Sequence, residues 1–139
     1  MKKLGKLSLV IITVLTCIAL FIIFQPQYST QGIEPDYTVK IGQLHQSFEQ
    51  NESQASQKYI GKVIETSGFV IEVNKDVTGA NVLLLSNTKN GDPQILCTLD
   101  SKYDNSSEGD LKIGTKVKVK GQCTGMLLEV VLKNGILLD

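Results

Sequence analysis

A few residues in this chain could do more than pack: two cysteines in its folded part, one histidine, three alternating lysines and a run of carboxylates. Cys97 and Cys123 fall on the inward phases of their strands, so across a narrow barrel the two thiols could come within bonding range. A disulfide between them, in an oxidising compartment, would close a loop of about 26 residues and contribute roughly 3 kcal/mol. Two buried thiols packing as small hydrophobes is the other reading, and both stay open. His45 is the only histidine, held between Leu44 and Gln46. A metal site needs several converging ligands, and neither Cys-x-x-Cys nor His-x-x-x-His occurs, so no metal and no cofactor is expected.

Catalytic patterns are equally thin. No serine sits in a Gly-x-Ser-x-Gly elbow, and a single histidine gives a triad little support. Asp100, Asp104, Glu108 and Asp110 share a loop, but its DNSSEGD run lacks the alternating ligands and closing bidentate carboxylate of a calcium loop. Gly61-Lys62 lacks the glycine spacing of a phosphate cradle. No catalytic residue is assigned, and an enzyme is not expected.

Lys116, Lys118 and Lys120 alternate, which puts all three on one face of a strand. Such a stripe could neutralise phosphates, or it could be a solvated outer face that discourages edge pairing. Single-stranded nucleic-acid binding usually adds aromatic stacking platforms, and Phe69 is the only aromatic inside a predicted strand. The chain has no arginine. Without its three leading lysines it keeps 11 basic against 14 acidic residues, a net charge of about −3, which argues against a polyanionic partner. Apolar side chains are in excess: Leu83-Leu84-Leu85, Ile95-Leu96, Leu127-Leu128 and Val130-Val131 are consecutive. One member of each set must point away from the interior, toward a covering helix or toward a protein, a second copy or a lipid. The reading assigns Leu83, Leu85 and Leu96 to such a surface.

The elements that must position these residues begin with an anchor. Lys2, Lys3 and Lys6 precede 18 uncharged residues, Leu7 to Phe24. As a helix this run covers about 27 Å, near the hydrocarbon thickness of a bilayer, with the lysines keeping the N-terminus inside. A cleaved signal would have a shorter run and a small-x-small site, whereas Gln25-Pro26-Gln27-Tyr28 follows here. A lipoprotein would place its cysteine at the end of the run, and Cys17 stands in the middle. The expectation is a single-pass bacterial inner-membrane protein with its folded part outside the cytoplasm: residues 1–24 lysines and anchor, 25–37 a tether, 38–139 the domain.

Within the domain, Ile41, Leu44, Phe48, Ala55 and Tyr59 recur at helical spacing, which predicts an amphipathic helix from Thr38 to about Lys58, capped by Asp36 or Thr38. From Ile60 the period becomes two. Ile64, Thr66, Gly68 and Val70 share one side and Ile71 and Val73 the other, a phase slip that predicts a bulge near Val70 or Ile71. Further strands are predicted at Asn81–Ser86, Gln94–Asp100 and Thr115–Cys123, a tight turn at Thr124-Gly125, then Met126–Leu132 and Ile136–Leu138 around an Asn134-Gly135 turn. About five strands, the first long enough to serve two sheets, predict a mostly-β barrel of the oligonucleotide/oligosaccharide-binding type (OB-fold) behind an amphipathic helix and a transmembrane helix. Ligands would meet the second- and third-strand face or the loops Asn74–Gly79 and Thr124–Gly125.

The run Leu44…Phe48…Asn51-Glu52…Ala55…Lys58-Tyr59-Ile60-Gly61-Lys62, then Gly68-Phe69-Val70, Ile95-Leu96-Cys97, Leu111…Gly114 and Val117 through Gly125, resembles the tRNA_anti-like family. The resemblance covers roughly residues 38–138. It implies an OB-fold of exported or membrane-anchored bacterial proteins, a relation in fold to anticodon-binding domains rather than tRNA binding, and it carries no catalytic residues. The expected function is a non-catalytic binding module for an unknown protein or for itself, with single-stranded nucleic-acid binding as the alternative. A small-ligand carrier would need a cavity that Ile64, Val70, Val117 and Val119 would fill.

Overall fold

The computed structural model describes residues 11–20, 29–89, 91–92, 94–104 and 111–138. Residues 11–20 form a helix (α1) whose large side chains Ile11, Ile12, Val14, Leu15, Ile18 and Leu20 are all exposed. Among the described residues no helix is long and apolar enough to cross a membrane. The rest of the expected span, residues 7–10 and 21–24, lies outside the described residues.

The domain runs β1 (Tyr37–Thr38), α2 (Ile41–Gln50), α3 (Glu52–Tyr59), β2 (Val63–Lys75), β3 (Asn81–Ser86), β4 (Gln94–Leu99), β5 (Lys116–Met126) and β6 (Val130–Leu138). The sheet order is β1-β2-β3-β4-β6-β5, and β2 also pairs with β5, so five strands close into a barrel. Only the β4–β6 pairing within that barrel is parallel. β2 closes it by working twice. Residues Val63–Phe69 pair antiparallel with β5, and Phe69–Lys75 pair antiparallel with β3. The register slips between Val70 and Glu72, at the bulge that the broken alternation predicts.

The predicted single helix is two. α2 ends at Asn51, whose side chain accepts the Gln54 N–H (3.0 Å) and so caps α3. Thr38 joins a short parallel bridge to Glu65 instead of opening a helix. Asp36 does not cap one either, because its carboxylate accepts the Val63 N–H (2.8 Å). Ile41, Leu44 and Phe48 from α2 and Ala55 and Tyr59 from α3 are buried with Ile64, Val70, Val119 and Leu132 in one core. Asn134-Gly135 is likewise not a turn. β6 runs through it, with Asn134 at φ 52°, the left-handed region that asparagine tolerates best after glycine. The register with β5 slips there, and Gly135 lies so close to β4 that a Cβ would stand 2.5 Å from Cys97 Sγ.

Gly68 answers a similar demand in β2. An added Cβ would lie 2.4 Å from Ile41 Cδ1 and 2.7 Å from the Ser86 carbonyl oxygen, so helix and strand approach only where no side chain intervenes. Gly68→Ala should cost about 1–3 kcal/mol, the range for overpacking a filled core, as a lower denaturation midpoint without a change in slope. An unchanged midpoint would mean α2 does not seat on β2 as described.

Candidate functional site

Strand register sorts the expected site residues by side. Leu83 pairs with Cys97 and Leu85 with Ile95, all four completely buried, so Leu83 and Leu85 belong to the barrel interior and not to an exposed surface. Alternation over three consecutive leucines cannot say which phase faces in; the neighbours decide it. The outward residue of the trio is Leu84, which pairs with Leu96, which in turn pairs with Val131. These three half-buried apolar side chains form a row across β3, β4 and β6 on the outer face. Of the three leucines named from sequence, Leu96 alone lies there.

The lysine stripe exists as a register but not as a free basic patch. Lys116, Lys118 and Lys120 pair with Phe69, Ser67 and Glu65 on the outside of β2. Lys118 Nζ stands 3.4 Å from the Glu65 carboxylate. Lys120 is buried, and its ammonium donates to the Ile33 carbonyl. The cover is the expected tether. Thr30, fully buried, donates its hydroxyl to the Asn134 carbonyl (2.6 Å), and the Asp36 N–H donates to the Val63 carbonyl (2.8 Å). Residues 30–38 are therefore strapped along the barrel, and among the described residues Lys116 is the exposed lysine of the stripe that makes no ion pair. It stands in register with half-buried Phe69, whose ring also carries Lys89 Nζ 5.6 Å from its centroid.

Cys97 and Cys123 are free, buried thiols. Both pair in register with Leu132, so β6 stands between them. Two strand spacings come to roughly 9.5 Å, wider than the ~7 Å Cα separation that a disulfide can bridge. Burial pushes the Cys97 thiol up to about 12 and raises that of Cys123 as well. Neither is a nucleophile at neutral pH. His45 Nδ1 sits 3.4 Å from Glu49, one helical turn on. Among the described residues no group of three or more His, Cys, Asp or Glu could hold a metal ion; Glu108 and Asp110 lie outside the described residues.

Both candidate loops end in exposed apolar residues. In the β2–β3 hairpin, the Asp76 carboxylate accepts the Thr78 hydroxyl (2.6 Å) and the Thr78 and Ala80 N–H groups (2.7 and 3.1 Å). Those bonds, the Thr78 hydroxyl foremost, hold its pKa below the usual value. Val77 at the apex is fully exposed. The other turn lies beyond the expected Thr124-Gly125: β5 continues to Met126, and the hairpin turns at residues 127–129. Leu127 and Leu128 there are 90% and 83% exposed.

A barrel of this order, with helices ahead of its first strand, agrees with the sequence profile of the tRNA_anti-like family, which matches residues 1–136. The chain belongs to the tRNA_anti-like family. Among solved structures, this tRNA_anti-like chain is similar to a protein of Klebsiella pneumoniae subsp. pneumoniae MGH 78578, described provisionally as a nucleic acid-binding lipoprotein. The two share 19% identity and superpose with a TM-score of 0.60 over 73% of this chain and 91% of that one, a likeness that shows the OB-fold. No curated protein matches the chain.

Sequence reasoning about this tRNA_anti-like domain missed Leu84 and undervalued Leu127 and Leu128. The pair sits between Gly125 and Glu129, and a glycine followed by adjacent leucines and a carboxylate was the available signal of an apolar turn. The buried thiols yield a pH test. The Cys97 thiol ionises at about 9.0 when unfolded and about 12 when folded, so the unfolded chain loses the proton first. This thiol thus leaves stability unchanged below about pH 9 and lowers it between pH 9 and 12, by on the order of 1.4 kcal/mol per pH unit. Urea unfolding at pH 8.5 and 10.5 should show a shallower alkaline loss for Cys97→Val than for the native chain; equal losses would place the thiol near solvent.

Proposed function

We propose that this chain is a non-catalytic binding module, held by its N-terminal apolar segment at the outer face of a bacterial inner membrane, and that its partner is a protein. The observation that carries the reading is the apolar row Leu84, Leu96 and Val131, in register across three strands of the outer face. An OB barrel uses this face for ligands, and an apolar row there suits a desolvating protein contact better than a phosphate backbone. The lysines point the same way, since Lys118 and Lys120 are engaged within the molecule. The anchor rests on the uncharged run from Leu7 to Phe24 and the exposed apolar face of α1, together with the three lysines ahead of it.

A photo-crosslinking residue in place of Leu96, in the full chain in native membranes, should capture a discrete protein adduct, and Leu84→Glu should abolish it. Lipid adducts alone would overturn the reading. The anchor has its own test. The intact chain should resist carbonate extraction, and protease added to spheroplasts should cut the barrel; a full-length protein in the cytosolic fraction would refute it.

Single-stranded nucleic-acid binding is the second reading. It is favoured by the Phe69 ring, which has Lys89 over it and Lys116 as its partner in the strand pairing, and by the description of the Klebsiella protein. It predicts that a fluorescent oligothymidine binds the full chain with affinity falling steeply between 50 and 200 mM salt, and that Phe69→Ala weakens binding at least tenfold. Affinity unchanged by salt and by Phe69→Ala would remove it.

A further inference from the structure

The β5–β6 hairpin tip lies between two clefts. One, of about 450 Å³, has Leu128 and Glu129 on one wall and His45 and Glu49 of α2 with Asp92 around it. The other, of about 300 Å³, sets Leu127 and Met126 against Phe48, Glu49 and Glu52. Glu49 borders both. Four carboxylates therefore ring two exposed leucines, and among the described residues no lysine lines either cleft; the basic group there, His45, already faces Glu49 at 3.4 Å. Resting on the protein-binding reading above, we infer that this tip and its clefts receive a basic, apolar polypeptide segment. Its large apolar side chains pack on Leu127 and Leu128, and its lysines or arginines meet Glu49, Glu52, Asp92 and Glu129.

Charge decides among the occupants. An anionic bilayer surface would meet four carboxylates. A second copy docked tip to tip would set the same carboxylates against one another, because a two-fold contact brings identical patches together. The strap adds a geometric argument against lipid. Thr30 is tied at Asn134, beside the C-terminal end of β4, where Gly135 pairs with Leu99. The tip lies past the N-terminal end of the same strand, where Val130 pairs with Ile95. Thr30 follows the end of the proposed anchor by five intervening residues, and the strap it begins is fastened at the end of β4 opposite the tip.

The test uses the full chain in zwitterionic nanodiscs and two fluorescent 18-residue amphipathic peptides, one of leucine and lysine, the other of leucine and glutamate, with empty nanodiscs as reference. The leucine–lysine peptide should bind at least tenfold more tightly than the leucine–glutamate peptide and than it binds empty discs. Leu127→Ser with Leu128→Ser should weaken it at least tenfold; both positions are exposed, so the variant folds. Glu49→Gln with Glu129→Gln should weaken it severalfold and flatten its salt dependence, and Val77→Ser should change nothing. Equal binding of both peptides, binding equal to empty discs, or an unchanged affinity in the leucine variant would overturn the inference. Capture through the Leu96 crosslinker is a separate readout: if it persists while the tip variants bind as the native chain does, the module reading stands and the tip assignment falls.

Discussion

One strand has to belong to two sheets, and most of this molecule follows from that. β2 hydrogen-bonds to β5 along its first half and to β3 along its second. A strand can turn from one partner to the other only if it coils sharply, and an extra residue at Val70–Glu72 supplies the bend. Gly68, just before it, leaves room for Ile41 of α2 and for the Ser86 backbone to close on the strand. The resulting barrel is narrow, and Ile64, Val70, Leu83, Leu85, Ile95, Cys97, Val119 and Leu132 fill it. Alternate side chains of the same strands face outward.

The outside is in turn shaped by the chain that leads into the barrel. Residues 30–39 hydrogen-bond to β2, β5 and β6 through Thr30, Ile33, Asp36 and Val39. Lys120 loses its solvent to this strap, and the carbonyl of Ile33 replaces water for its ammonium. Buried cations are retained only where such a partner exists. The strap thus converts part of an apparent basic stripe into a structural fastening, and it takes away the surface on which a phosphate backbone would have read it. Apolar surface is left elsewhere, along the Leu84–Leu96–Val131 row and at the hairpin tips.

Strand positions and the bulge were legible because each rests on local period: alternation marks a half-buried strand, and its failure over Val70 and Ile71 marks an inserted residue. The family, too, was legible from the spacing of short motifs. The site was less so. Leu83-Leu84-Leu85 carries no alternation, so its inward phase depends on Cys97 and Ile95 across the pairing, and the sequence reading took the wrong pair outward. Asn134-Gly135 has the composition of a hairpin turn, yet pairing with β4 on one side and β5 on the other holds it extended through a bulge. Asn51 looked like one polar residue within a helix and is the cap of a second.

Period, charge balance and apolar length are properties of neighbours in the chain, and through them the sequence by itself determined a mostly-β domain with about five strands, a bent first strand and a long apolar leader. Tertiary structure alone decided which leucines face solvent, that Leu132 stands between Cys97 and Cys123, that Lys120 is fastened to Ile33, and that Leu127 and Leu128 end a hairpin whose Glu129 is joined by carboxylates from α2, α3 and the β3–β4 connection. Each of those depends on pairing between residues far apart in the chain, and a side chain's neighbours across a sheet are set by register, which a shift of one residue would reverse.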